Sequence, residues 1–321
     1  MILGTIFGRI KASRKGLFER NGCTGTEIYT HVLCSARASD ARGFLVERPE
    51  TELDPVSACS LCRWSDRCAE QWEAEDSLAL VAGISRSQRQ KLEAAGVTTM
   101  AGLAAQHDRV PRMTMETLRR LVSQARLQSA RRAGGPPSFE LRDAEPGKGF
   151  GMLPPPDECD VFYDIEGDPY FPDGLEYLHG VWYCEDKDWK FRAFWAHTRE
   201  EEGRATANLL AFLVERMQRY PNAHIFHYAN YEIAALRRLT AQHRTGEAAM
   251  DQLQRERRFV DLFRVVSGAM VASEKGYSIK DLEAFYMDKR ATDVATAGAS
   301  AVFYEEWRNT HVKQHPIFNA E

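Results

Sequence analysis

From residue 161 onward the apolar positions fall into short runs divided by polar turns and longer helical stretches. Residues 161–165, 177–184 and 191–195 are rich in the β-branched and aromatic side chains that suit a pleated, half-buried surface, and they predict three successive strands. Residues 199–220 repeat apolar positions at three- and four-residue spacing, which predicts a long amphipathic helix. A strand at 223–227, a helix at 231–240, a charged stretch to Arg258, a strand at 259–262 and a helix ending near Tyr286 complete the series. The alternation predicts an α/β domain over 158–321.

Upstream the texture is helical. Ser85 and Gln88 form a capping box, Leu92 faces inward, and Gly96 ends the helix in a left-handed turn. A second helix is expected from Thr98, burying Met100, Leu103 and Ala104. Residues 112–132 predict an amphipathic helix with Met115, Leu118 and Val122 inward. Gly134-Gly-Pro-Pro137 and Gly151-Met-Leu-Pro-Pro-Pro156 break the pattern and bracket an expected linker at 134–157, after a smaller, mostly helical domain at 55–133. Residues 1–54 show no sustained periodicity and are left unassigned.

Composition narrows the class. Of 321 residues 44% are apolar and 27% charged, and no run approaches the ~18 apolar residues of a bilayer span. Near the N-terminus Ile2, Leu3, Ile6 and Phe7 precede the basic residues, the reverse of a secretory signal, so a cytoplasmic protein without membrane contact is expected. The net charge of -4 hides a local excess: between 112 and 132 six arginines, among them Arg119, Arg120 and Arg126, face Glu116 alone, a net of +5. Such a helix suits contact with a nucleic-acid backbone, and a solvated charged face is the simpler alternative. The helix pair from Leu80 to Leu103 resembles a helix-hairpin-helix unit, whose amides around Gly96 would hold a phosphate; a helical spacer is the alternative.

Seven cysteines include five in the first 68 residues, and Cys59-x2-Cys62-x5-Cys68 has a spacing that suits an iron–sulfur cluster or zinc. Cys34 and Cys23 are candidates for the fourth ligand, and three free thiols are the alternative. Cys159 and Cys184 read as core residues.

The sharpest chemical signal is Asp164-Ile-Glu166. Two carboxylates two residues apart on a strand point to one face of the sheet. A phosphodiester hydrolase that bridges two Mg2+ or Mn2+ ions needs this arrangement. Phe162-Tyr-Asp-Ile-Glu166 resembles the first motif of the DEDD 3′-to-5′ exonucleases, including the proofreading domains of B-family polymerases. His227-Tyr-Ala-Asn-Tyr231-Glu232-x-x-x-Leu236 is similar to their second motif, with glutamate where aspartate is usual. The order of three strands followed by helix, strand and helix is, by analogy, that of a mixed ribonuclease-H-like sheet with flanking helices.

From about Pro55 to Trp307 the chain resembles bacterial RecB-like nucleases that carry a YprB-type ribonuclease-H-like domain. The resemblance implies a metal-dependent nuclease, 3′-to-5′ exonuclease-like, acting on DNA or RNA, with nuclease or helicase subunits as further partners. It implies that Asp164 and Glu166 bind Mg2+ or Mn2+ and that Glu232 holds the second ion or its water. Asp261 enters either as a ligand or as a structural residue, and Tyr231 lies on the nucleic-acid side. It implies a [4Fe-4S] cluster, or zinc, on Cys59, Cys62, Cys68 and Cys34. The family's third motif, Tyr-x-x-x-Asp on a later helix, is assigned to no segment here. The expectation is therefore a chain truncated at both ends, with a catalytically inactive nucleic-acid-binding remnant as the alternative function and an inert structural fragment as a third.

Overall fold

The computed structural model describes residues 53–56, 59, 62–287 and 297–310, with side chains of the last helix described over 302–308. The chain divides into two compact units between Ser129 and Ala130.

The smaller unit holds α1 (Ser65–Ala74), a turn of 3-10 helix (Leu78–Leu80), α2 (Arg86–Ala94), α3 (Met100–Ala104) and most of α4 (Met115–Arg132). Leu78, Leu92, Met100, Leu103 and Leu121 make its core, each 1% exposed or less. The Ser85–Gln88 capping box forms in both directions, and Gly96 closes α2 at φ 85°. Thr99, one residue past the expected start, caps α3 by accepting from Gly102 N–H. The buried Gln128 side chain ties α4 to the turn before α2, accepting from Ala82 N–H (2.8 Å) and donating to Leu80 O (3.0 Å).

The larger unit begins with β1 (Phe139–Leu141) and a turn of 3-10 helix (Gly149–Met152). Then follow β2 (Val161–Asp168), β3 (Leu175–Glu185), β4 (Asp188–Trp195), α5 (Arg199–Arg219), β5 (Ile225–His227) and α6 (Tyr231–His243). After them come α7 (Glu247–Arg255), β6 (Phe259–Asp261), α8 (Leu262–Ala269), β7 (Met270–Ala272), α9 (Ile279–Leu282) and α10 (Ala297–Thr310). The five-stranded sheet runs β4-β3-β2-β5-β6, with β2, β3 and β4 an antiparallel meander and β5 and β6 parallel to β2. This mixed sheet flanked by helices is the ribonuclease-H-like α/β fold.

Alternation along β2 decides what faces what. Tyr163 and Ile165 enter the main core with Leu209, Leu213, Leu236 and Leu253 from α5, α6 and α7. Phe162 faces the other way, against Phe226 (centroids 5.5 Å apart) and the cluster of Val260 and Val265. That places Asp164 and Glu166 on the Phe162 side.

Two segments differ from expectation. The stretch expected as a linker is tied into the larger unit, because β1 pairs antiparallel with β7 (Phe139 opposite Ala272), 133 residues further along the chain. The backbone of Gly149 meets α8 so closely that a Cβ there would lie 2.8 Å from Ala269 Cα. The charged stretch before Arg258 contains α7, whose Met250 and Leu253, three residues apart, are buried while its charges face solvent. Among the described residues, no helix is long and apolar enough to cross a membrane.

Candidate active site

Asp164 and Glu166 end the regular part of β2, opposite Gly180 and Leu178 of β3, and the register slips between Glu166 and Gly167. Both acids are buried, at 3% and 7% exposure. The third expected acid arrives from α6. After β5 the backbone turns through Ala229 at φ 70°, and Glu232 falls in the first helical turn, 3% exposed.

These carboxylates are not solvated, and they are not all paired. Neither oxygen of Asp164 has a hydrogen-bond partner of good geometry, and Glu232 Oε2 has none. His227 Nδ1, also without a hydrogen bond, stands 3.6 Å from that same Glu232 oxygen. Burial pushes the Asp164 carboxyl well above the usual carboxylate range, and the charges of Glu166 and then Glu232 push it further, against a small opposing pull from the Ile165 amide. The structure thus brings Asp164, Glu166 and Glu232 within electrostatic reach of one another. Among the described residues, however, no group of three or more His, Cys, Asp or Glu side chains is positioned to hold a metal ion.

A second acid stands beside them that the sequence does not announce. Glu176, at the start of β3, accepts from Tyr231 O–H (2.9 Å) and pairs with Arg238. Its Oε2 is buried and without a hydrogen bond. Burial raises its carboxyl, and the Tyr231 hydrogen bond and the Arg238 charge oppose that rise. The carboxylate lies over Gly167: a Cβ there would meet Glu176 Oε2 at 2.4 Å and Tyr231 Oη at 3.3 Å. Only the bulged register of β2 against β3 brings Glu176 here, which no local pattern reveals. Asp168, two residues past Glu166, was visible in the sequence; it accepts from Tyr170 N–H (2.9 Å) and pairs with Arg308 of α10 (3.2 Å).

Asp261 is engaged elsewhere. It caps α8, its Oδ1 accepting from Phe263 N–H (2.9 Å), Arg264 N–H (3.3 Å) and Ala229 N–H (3.0 Å), contacts that favour the structural alternative for this residue beside the Glu232 loop. Glu305 faces Arg308 on its own helix at 3.5 Å. Contrary to expectation, the spacing Tyr-x-x-x-Asp is present at Tyr277 and Asp281. There Asp281 closes a capping box with Ser278, and the Tyr277 hydroxyl donates to Met270 O (3.2 Å).

In the smaller unit two amides of the hairpin are bonded within the chain. Gly96 N–H donates to Glu93 O and Val97 N–H to Leu92 O, both at 2.9 Å. Ala101 N–H, in the first turn of α3, donates to Asp76 Oδ2 (2.7 Å), so a carboxylate caps the helix that follows the hairpin. On α4, Arg119 and Arg126 are exposed and seven residues apart, hence on one stripe, while Arg120 is half-buried beside Gly83. Cys59, Cys62 and Cys68 are free and half-buried. Burial raises the Cys68 thiol, and the neighbouring Cys62 and Cys59 thiols raise it further. Cys34 and Cys23 lie outside the described residues.

Residues 161–316 match the RNase H superfamily. No curated protein and no solved structure matches the chain. The chain therefore carries an RNase H-like domain over that span, which suggests a nuclease-type function and a nucleic-acid partner.

Proposed function

We propose that this chain is a metal-dependent nuclease of the DEDD exonuclease type, hydrolysing phosphodiester bonds of DNA or RNA in the 3′-to-5′ direction. One observation carries the reading: Asp164, buried with neither oxygen hydrogen-bonded at good geometry, sits beside two further buried carboxylates, Glu166 and Glu232. Buried like charges are costly without a cation. The donor set is hard oxygen, which fits Mg2+ or Mn2+. Asp164 and Glu166 would hold the ion and Glu232 would orient the attacking water or a second ion. When bound, the divalent cation supplies Lewis-acid stabilisation of the charge that develops at the phosphate. The chain's own part is to bury the acids, to fix Glu232 through the first turn of α6, and to hold Asp164 deprotonated once a cation offsets its neighbours.

On the same reading Cys59, Cys62 and Cys68, with Cys34, would hold an iron–sulfur cluster or zinc in the manner of RecB-like nucleases, and Arg119, Arg120 and Arg126 would contact the phosphate backbone. A second reading, a nucleic-acid-binding protein without turnover, draws on the lack of a three-ligand arrangement among the described residues and on the backbone hydrogen bonds of Asp261 Oδ1. An end-labelled single strand incubated with Mn2+ separates the two. Stepwise shortening by the wild type, with at least a hundredfold less by Asp164→Asn, supports the nuclease. Salt-sensitive binding with no shortening, or equal shortening by the variant, removes it.

A further inference from the structure

The sheet face that carries Asp164 and Glu166 is closed on one half and open on the other. Over β5 and β6 it is covered by α8, with Phe226 and Val260 packed against Val265 and Leu262. Over β4 the rings of Trp189 and Phe191 stand 50% and 41% exposed. An edge strand ordinarily guards its exposed face with charge. Here alternation sends Lys190 and Arg192 to the other side and turns large aromatics outward on the face of the acids.

These rings form a row that ends over Gly180, the residue paired with Asp164 across the strands. Trp182 stacks on Trp189 (centroids 6.1 Å, planes 10° apart) and lies 6.4 Å from Phe191, while Phe162 lies 6.0 Å from Trp189. Phe191 leans over Gly180, its ring 3.0 Å from where a Cβ on that glycine would stand. Gly180 is the residue directly opposite Asp164 across β2 and β3. The missing side chain thus makes room for an aromatic ring next to the acid, and Ala193, opposite Gly180 on β4, keeps the same strip low.

We propose that Trp182, Trp189 and Phe191 form a stacking platform for the bases of a single-stranded nucleic acid, delivering its terminal phosphodiester to Asp164 and Glu166. The proposal rests on the nuclease reading and names the form of substrate that site takes. The occupant follows from the chemistry of the surface. Flat rings bind flat bases with little sequence preference, and an unpaired strand offers its base faces where a duplex has already stacked them. A protein seated on the row would lie against Phe191 and close the approach to Asp164, which a hydrolase must leave open.

The test separates binding from turnover. Affinity for a labelled oligothymidylate of about twelve nucleotides, and for a duplex of the same length, is measured by anisotropy in EDTA, alongside quenching of tryptophan emission. Trp189→Ala and Phe191→Ala are each expected to weaken single-strand binding about 5- to 100-fold, Trp189→Tyr to retain most of it, and the strand to quench wild-type emission. Unchanged affinity in both alanine variants overturns the platform, as does a wild type that binds no single strand or binds duplex equally well. Loss of a wild-type dimer in Trp189→Ala, seen by light scattering, overturns it too and assigns the face to a second copy. Thermal melts of each variant establish that the fold is kept, and the tyrosine variant keeps the test decisive if an alanine variant unfolds. Mn2+-dependent cleavage is scored apart: strand binding lost in the variants without wild-type cleavage sinks the nuclease and leaves the platform, whereas cleavage with unaltered variant binding does the reverse.

Discussion

Two buried side chains near the site give the protein opposite responses to acid. His179, on β3 and fully buried, has Nδ1 2.9 Å from Tyr163 Oη, and burial lowers its pKa from 6.5 to about 3. The unfolded chain therefore takes up that proton first. Stability contributed by neutral His179 is complete above about pH 6.5 and is lost as pH falls below it, at up to roughly 1.4 kcal/mol per pH unit. Asp164 has the other sign. Its carboxyl is raised, so the folded chain holds a proton that the unfolded chain has released, and its contribution falls as pH rises above about 3.9. In metal-free protein His179→Gln should therefore flatten the loss of Tm between pH 6.5 and 5, while Asp164→Asn should raise Tm at pH 8 by roughly 2–4 °C per kcal/mol of repulsion removed. Thermal melts across pH in EDTA measure both, and parallel curves for wild type and both variants would rule out this account.

At the scale of elements, the first turn of α6 sets the position of Glu232, and β3 holds that turn. The tie runs from Arg238 to Glu176 to the Tyr231 hydroxyl, from the third turn of the helix back to its first. Glu176 is 5% exposed at its side chain and Arg238 45%, so removing the arginine leaves a buried carboxylate with one partner fewer. Arg238→Ala should cost about 1–3 kcal/mol, discounted toward the lower end for solvent around the guanidinium, and Tyr231→Phe about 1 kcal/mol. Denaturant titration gives that order, and a larger loss for Tyr231→Phe would contradict it. How much of this was legible divides along the same lines. The period-2 runs of β2 to β4, the Ser85 capping box and the acid pair Asp164–Glu166 are local, and their spacing in the sequence is enough. The β1–β7 pairing joins Phe139 to Ala272, and Glu176 reaches Gly167 through a bulge, so both depend on register between distant segments. Helix α7 had a readable signal in Met250 and Leu253, masked by the charges around them.

For the whole molecule, a net charge of -4 conceals two regions of opposite character, buried acids in one unit and exposed arginines in the other. A phosphate backbone is repelled by the first until a cation is present, so the salt-sensitive, phosphate-directed part of any affinity in EDTA has to come from basic side chains elsewhere. Among the described residues of the smaller unit, Arg119 and Arg126 form an exposed basic stripe on α4 that can be tested for phosphate contact. Each arginine that contacts a single strand adds about 0.7 to the slope of log affinity against log salt. Replacing both, as Arg119→Gln with Arg126→Gln, should lower that slope by about 1.4 and weaken binding of all sequences alike. Binding isotherms at several salt concentrations read the slope directly. If the double variant keeps the wild-type slope, α4 is a solvated charged face, and the phosphate contacts of this protein lie elsewhere.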